Sequence, residues 1–267
     1  MKQILLRMNS CVDRRMFILK KIEKEEQVNV SELSQLFLVS EVTIRKDLKY
    51  LENKNILIRS RGGAMKQSLI NTDLSIFDRR KQNTKLKETI GVATARLIAN
   101  GETILLDTGT TIMELAKHLP KKIDITVITN SVDITFRLAE YPNIRVIMPG
   151  GILRRNSLAL VGEQAAESFR NYYCDKYFLS ADGIDLQSGI MTMNIEEASL
   201  AKLNIKNSKK VFVLIDSSKF KQKGIMTIAP LSDIDVIITD SNVSSDMVEK
   251  IENLGVEVIV VDKSIDI

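Results

Sequence analysis

The sequence has one histidine, two cysteines and no tryptophan among its 267 residues. Imidazole and thiolate groups are common ligands of transition metals and common catalytic groups, so this composition leaves little scope for either chemistry. Cys11 and Cys174 lie far apart and form no disulfide or metal-binding pattern. His118 stands at the end of a predicted helix, where the helix dipole favours a partly cationic ring. We interpret it as structural, and the sequence predicts no metal, no cofactor and no catalytic residue.

Long apolar runs are also absent. No segment approaches the roughly 18–20 consecutive apolar residues that a membrane-spanning helix needs. The apolar patch within residues 1–7 is too short for a signal peptide and has no small-residue cleavage site after it. We therefore expect a cytoplasmic protein with no membrane partner. A length of 267 residues with 44% apolar and 27% charged residues suits two globular domains.

The net charge of +4 is unevenly distributed. Residues 1–66 hold 14 Lys and Arg against 8 Asp and Glu, whereas the remainder holds 24 against 26. A basic small domain beside a near-neutral large one indicates that the small one binds a polyanion. Charge alone leaves a solvated basic surface as the alternative.

The first 66 residues predict a small domain of three helices and a hairpin. Amphipathic helices and then a strand are predicted over residues 13–26, 30–37, 41–53 and 56–58. Ser40 is a favourable N-cap for the third helix. In that helix Ile44, Leu48 and Leu51 follow an i, i+4, i+7 spacing and face one core. This order predicts an all-α, winged helix-turn-helix domain over residues 1–66.

The third helix is predicted to be a recognition helix, because its other face carries short and basic side chains that suit the major groove. Arg59 and Arg61 belong to the predicted wing, where they would contact phosphate or a minor groove. Arg14 and Arg15 would add contacts to the DNA backbone. The candidate DNA-binding residues are Arg14, Arg15, Ser40, Glu41, Thr43, Arg45, Lys46, Lys49, Arg59 and Arg61.

Residues 67–84 are polar and without clear period, which predicts a linker. From residue 85 to 267 predicted helices alternate with strands that are apolar on both faces, as in a buried parallel sheet. Such alternation predicts an α/β layer domain.

Small polar residues follow several predicted strands of this domain. Asp107-x-Gly109-Thr110-Thr111 joins a strand to a helix, where a glycine and hydroxyls make a natural phosphate cradle. Thr129-Asn130 and Gly150-Gly151 end the next two strands, and ligands of open α/β sheets bind at that edge. For Thr129-Asn130, helix capping is the competing interpretation.

Three later residues complete the candidate site. Asp182 and Glu196 would accept hydrogen bonds from sugar hydroxyls, although acidic residues at helix starts are also common caps. Lys219 would neutralise a phosphate, or is a surface lysine. The candidate ligand-binding residues are Asp107, Gly109, Thr110, Thr111, Thr129, Asn130, Gly150, Gly151, Asp182, Glu196 and Lys219.

The segment Val39–Leu48, followed by Leu51-Glu52 and Arg61-Gly62-Gly63-Ala64, resembles the N-terminal signature of the DeoR family of bacterial regulators. Lys46 and Arg61 depart from it, since the family usually has Arg and His there. The second half resembles the DeoR sensor domain in the motifs Asp107-x-Gly-Thr-Thr, Thr129-Asn-Ser, Gly150-Gly151, Gly162-Glu163, Asp182-Gly-Ile-Asp, Glu196-Glu-Ala and Asp216-Ser-Ser-Lys219.

The resemblance implies a mainly parallel sheet similar to that of ribose-5-phosphate isomerase, and a phosphorylated sugar that relieves repression. By that resemblance Gly109, Thr110 and Thr111 would hold phosphate, Asp107 and Asp182 the sugar, and Lys219 the phosphate or a nearby carboxylate. We expect a repressor of a carbohydrate operon that binds double-stranded operator DNA as a homo-oligomer, either a dimer or a tetramer.

Two other functions stay open. An isomerase-like enzyme with a DNA-binding head would need a base and an electrophile near a carbonyl. However, Leu186-Gln-Ser-Gly189 stands where that fold carries a lysine and a glycine run, which argues against catalysis. An architectural DNA protein would need no sensor cavity.

Overall fold

The computed structural model describes residues 11–25, 27–52, 56–60, 62–66, 74–122 and 124–262. The chain divides into two compact units, Met1–Thr72 and Asp73–Ile267. The first unit has its own apolar cluster, and the second has two, one on each face of its sheet. The predicted fold class, a helix-turn-helix domain followed by an α/β domain with a parallel sheet, is confirmed.

The first unit contains three helices and a small antiparallel sheet. The helices are α1 (Cys11–Glu25), α2 (Val30–Phe37) and α3 (Glu41–Glu52). The strands β1 (Gln27–Asn29), β2 (Leu57–Ser60) and β3 (Gly63–Lys66) pair in the order β1-β3-β2. Ile44, Leu48 and Leu51 of α3 are at most 2% exposed, as their spacing predicts. Burial of that apolar stripe leaves the polar face of α3 outward.

The second unit is built on seven parallel strands in the order β15-β14-β12-β9-β4-β5-β6. They are β4 (Thr103–Leu106), β5 (Ile125–Thr129), β6 (Ile144–Ile147), β9 (Cys174–Ser180), β12 (Ser208–Leu214), β14 (Val236–Asp240) and β15 (Glu257–Val261). Leu105 joins one apolar cluster, whereas Ile104 and Leu106 join the other. Both faces of β4 are therefore covered, which explains its uninterrupted apolar sequence.

Helices and short strands complete the second unit. The helices are α4 (Ile76–Arg79), α5 (Thr84–Ala95), α6 (Thr110–Ala116), α7 (Val132–Leu138), α8 (Glu163–Phe169), α9 (Ile195–Lys206) and α10 (Ser245–Glu252). A hairpin, β7 (Ile152–Arg154) and β8 (Ala159–Val161), and a three-stranded antiparallel sheet, β10 (Gly183–Asp185), β11 (Gly189–Thr192) and β13 (Met226–Ala229), are added to it.

The order of strands reverses at β4. From β4 the chain builds outward through β5 to β6, and then returns to place β9 on the other side of β4. The loops that leave the carboxyl ends of β4 and β9 diverge from this point. A crevice between such loops is the usual ligand position in open α/β sheets.

Residues 74–83 belong to the second unit, ahead of the boundary at residue 85 that the polar composition predicts. Ile76 is 2% exposed, and its backbone N–H donates to the carbonyl of Asn156 over 2.6 Å. Ser75 caps α4, since its hydroxyl accepts from the backbone N–H of Phe77. Along the part of the chain that the structure describes, no helix is both long and apolar enough to cross a membrane.

Candidate DNA interface and anion cavity

The outward face of α3 is accessible. Ser40 begins this helix by accepting a hydrogen bond from the backbone N–H of Thr43, with Oγ and N 3.2 Å apart. Glu41, Arg45, Lys46 and Lys49 are exposed and Thr43 is half-buried, as expected of residues that reach a groove. Arg45 and Glu41 form an ion pair of 2.6 Å between side chains that are 49% and 45% exposed. DNA would replace this solvated pair at small cost, because exposed pairs contribute little.

The wing is described in part. The backbone N–H of Arg59 donates to Glu52 over 3.1 Å, and their side chains lie 4.0 Å apart. The side chain of Arg59 is exposed, which suits the predicted contact with DNA. Arg61 lies outside the described residues.

The expected backbone contacts of Arg14 and Arg15 need correction. Both arginines bind the carboxylate of Asp47 in α3, each with Nε 2.8 Å from an oxygen. Arg14 is 7% and Asp47 2% exposed, so Arg14 is occupied inside the domain. The guanidinium of Arg15 also lies 3.8 Å from the ring centroid of Tyr50. The two arginines tie α1 to α3, and the sequence reading missed Asp47, their common partner.

A small cavity of about 30 Å³ opens at the carboxyl ends of β4, β9 and β12, where the strand order reverses. Its walls come from these strand ends and from residues 79–87. The lining residues are Arg79, Gln82, Asn83, Lys87, Thr110, Thr111, Ser180, Ala181, Asp182, Leu214, Ile215, Asp216 and Lys219. Thr110, Thr111, Asp182 and Lys219 of the predicted site thus converge on one space.

Three cations line this cavity. Lys87 is only 6% exposed and its Nζ donates to the carbonyl of Arg79 over 2.7 Å. Burial lowers the pKa of Lys87 to about 8, and burial also lowers the pKa of Lys219. Arg79 lies 3.1 Å from Asp182, atom Nη1 to Oδ1. Cations that have lost water are stabilised by an anion, so the cavity has the electrostatics of an anion site.

Of the predicted carboxylates, Asp182 lines the cavity and Asp107 does not. Asp182 accepts from the hydroxyl of Thr192 and the backbone N–H of Met193, over 3.1 and 3.0 Å. Asp107 accepts from the N–H of Ser180 over 3.2 Å. Burial raises the pKa of Asp107 to about 7, and the negative charge of Glu197 adds to the rise. Near neutral pH, Asp107 is therefore present in both its protonated and its ionised form.

Glu197, and not Glu196, takes part in this electrostatic network. Glu196 is exposed, whereas Glu197 is half-buried and pairs with Arg154 over 2.9 Å. Burial raises the pKa of Glu197. Asn194 caps α9 and sets this orientation, since its Oδ1 accepts from the N–H of Glu197. Neither Glu196 nor Glu197 lines the cavity, so the contact of Glu196 with a ligand stays a prediction.

Thr129 and Asn130 make contacts within the unit, and of the three predicted loops only the one after β4 contributes to the cavity lining. Thr129 is fully buried and accepts from the N–H of Ser131, whereas Asn130 donates to the carbonyl of Leu160 over 3.1 Å. Neither they nor Gly150 and Gly151 line the cavity. β5 and β6 lie on the far side of β4 from β9.

Gly109 shapes the cavity without lining it. Its φ of +134° and its position would place a Cβ only 2.6 Å from the hydroxyl of Ser180. Glycine therefore allows the loop after β4 to approach the end of β9 closely. The sequence reading missed Arg79, Asn83 and Lys87, which lie before the first strand of the sheet, where no strand-end motif directs attention.

Known proteins match both units. A model described as the DeoR C-terminal sensor domain matches residues 82–241, and a DeoR-like helix-turn-helix model matches residues 14–68. The chain is 36% identical to a putative aga operon transcriptional repressor of Escherichia coli O157:H7, over 96% of each chain. It is 30% identical to the glycerol-3-phosphate regulon repressor of Escherichia coli K12, over 84% of this chain and 88% of that one.

Among solved structures, ribose 5-phosphate isomerase A of Methanocaldococcus jannaschii has 19% identity and a TM-score of 0.39, and the match covers 52% of this chain and 55% of that chain. This likeness is partial, and nothing about activity follows from it.

The two units and their matches define a DNA-binding transcriptional regulator with a sensor domain. The chain belongs to the DeoR family.

Proposed function

We propose that this regulator is a repressor of a carbohydrate operon, and that a phosphorylated sugar bound in the cavity releases it from its operator. The observation that carries the proposal is the cavity itself, in which three cations, Arg79, Lys87 and Lys219, lie beside hydroxyls and carboxylates, and burial lowers the pKa of both lysines. A phosphoryl group would pair with the cations. Asp182 and Thr110 offer acceptors and donors for sugar hydroxyls.

Two relatives support the carbohydrate assignment by their names, an aga operon repressor and a glycerol-3-phosphate regulon repressor. We further propose that the protein acts as a homo-oligomer, a dimer or a tetramer, because two α3 helices then read two half-sites of an operator. Phosphate contacts would give salt-dependent affinity, and Thr43, Arg45 and Lys46 would select the sequence.

The experiment is a thermal-shift panel on the full chain. The compounds are ribose 5-phosphate, fructose 6-phosphate, glucosamine 6-phosphate and glycerol 3-phosphate, each beside its unphosphorylated form. A specific ligand raises the unfolding temperature by mass action. We expect one phosphorylated compound to do so and to lower operator affinity in fluorescence anisotropy. A panel in which no compound shifts the transition would contradict the proposal.

One observation favours an isomerase-like enzyme as the second candidate. Asp107, with a pKa of about 7, has the range of a general base. Against it, the turn between β10 and β11 carries no lysine, and Asp185 there caps the turn by accepting from the N–H groups of Gln187 and Ser188. We propose a regulator without catalysis. Interconversion of ribose 5-phosphate and ribulose 5-phosphate above background would overturn that choice.

A further inference from the structure

The chain that leaves the DNA-binding unit becomes a wall of the cavity. Only residues 67–73 separate β3 from residues 74–83, which we name the strap. The strap contains α4 and supplies Arg79, Gln82 and Asn83 to the cavity lining. A ligand in the cavity therefore touches the segment through which the main chain continues to the DNA-binding unit.

Polar contacts hold the strap. Its buried apolar side chain is Ile76, whereas Phe77 is 53% exposed. At the cavity, Arg79 pairs with Asp182 and Asn83 donates to Asp216 over 3.0 Å. A segment held mainly by charged and polar contacts is released more easily than one held by apolar burial, because an incoming charge competes for its partners.

An anion would redistribute these contacts. Arg79, Lys87 and Lys219 face two carboxylates, Asp182 and Asp216, and the five charges influence one another. A phosphoryl group near the cations attracts the guanidinium of Arg79 and repels the carboxylate of Asp182. Arginine binds phosphate through two parallel hydrogen bonds, so the pairing of Arg79 with the phosphoryl group can replace its pairing with Asp182.

We propose that the strap couples the cavity to the DNA-binding unit, with Arg79 exchanging Asp182 for the bound phosphoryl group and Asn83 holding the end of the strap. This inference rests on the proposed function, since it assigns the regulation of the same site. The ligand shifts operator affinity by the difference between its affinities for the two strap arrangements.

The test compares Arg79→Met with Lys81→Met in the full chain. Lys81 is a matched control because it also lies on the strap, is exposed, and contacts Asp78 at i−3. Ribose 5-phosphate, glucosamine 6-phosphate and inorganic phosphate are titrated to saturation. Operator affinity by fluorescence anisotropy is the first readout, and amide hydrogen exchange of residues 74–83 is the second.

In the wild type and in Lys81→Met, the stabilising compound should lower operator affinity about 10-fold, within the usual range of coupling. In Arg79→Met the change should fall below about 2-fold at saturation. Exchange of the strap amides should respond to the compound in the wild type and not in Arg79→Met. Operator release that is equal in both variants overturns the coupling and leaves the proposed function standing.

If Arg79→Met binds no compound, Asn83→Gly tests whether the strap couples the cavity to operator binding. Asn83 has a φ of +52°, a conformation that glycine adopts without strain, so this variant removes the side-chain contacts without straining the folded backbone. At compound concentrations that saturate this variant in a thermal-shift titration, it should lose at least half of the operator response on a logarithmic scale. A full response overturns the proposal. If no compound or phosphate stabilises the wild type, the proposed function fails and the coupling falls with it.

Discussion

At the scale of single residues, a buried carboxylate organises the DNA-binding unit. Asp47 accepts from both Arg14 and Arg15, and its partner Arg14 is almost as buried as itself. Removing one partner of a buried ion pair leaves an uncompensated charge, which is costly. The acidic residue within the basic α3 helix is therefore a tether between helices and not a contact with DNA.

Asp47→Ala should lower the free energy of unfolding of the first unit by about 3 kcal/mol, because two arginines then lose their counter-ion. Glu41→Ala is the control, since Glu41 pairs with Arg45 on the surface, and it should cost less than about 1 kcal/mol. Urea denaturation followed by circular dichroism measures both. Equal losses in the two variants would show that Asp47 is not a tether.

Asp107 predicts a pH dependence of stability. Its pKa is about 7 in the folded chain against an ordinary value of 3.8, so the folded state binds more protons between these values. Stability contributed through this group is therefore lost as pH rises from about 4 to about 7. Asp107→Asn should flatten that part of the profile and raise the free energy of unfolding at pH 8 by roughly 2–4 kcal/mol. If the pH profile of stability keeps its slope in Asp107→Asn, the group that titrates is another one, for example Glu197.

At the scale of elements, local pattern predicted α3 and its core face, because helix periodicity depends on neighbouring residues. It also predicted that the loop after β4 contributes to the site. It did not predict that the residues directly after β5 and β6 stay out of the cavity lining, since strand order is set by pairing between distant segments. The same limit explains why Arg79 was missed: its partner Asp182 lies 103 residues further along the chain.

The outward face of α3 predicts a loss of specificity in Arg45→Ala. The side chain of Arg45 is half-exposed, and the only contact described for it is the surface ion pair with Glu41. Because that pair is weak, Arg45 can exchange it for a hydrogen bond to guanine. A bidentate base contact contributes about 1–3 kcal/mol of discrimination, so the ratio of operator to random-DNA affinity should fall at least about 5-fold. Lys24→Ala removes the same charge from α1 and should leave the ratio unchanged. Anisotropy titrations on a selected operator and a scrambled duplex measure both, and an unchanged ratio in Arg45→Ala removes it from base recognition.

At the scale of the whole molecule, two units with separate apolar clusters predict two unfolding transitions. A phosphorylated sugar that binds the cavity stabilises only the native second unit, so it should raise that transition alone, by RT ln(1 + [L]/Kd). About 2.7 kcal/mol is expected at one hundred times the Kd. Operator DNA should raise the other transition. Differential scanning calorimetry of the full chain, with each ligand and with both, checks this. A single transition that both ligands raise would mean that the units unfold as one cooperative body, and would contradict this prediction.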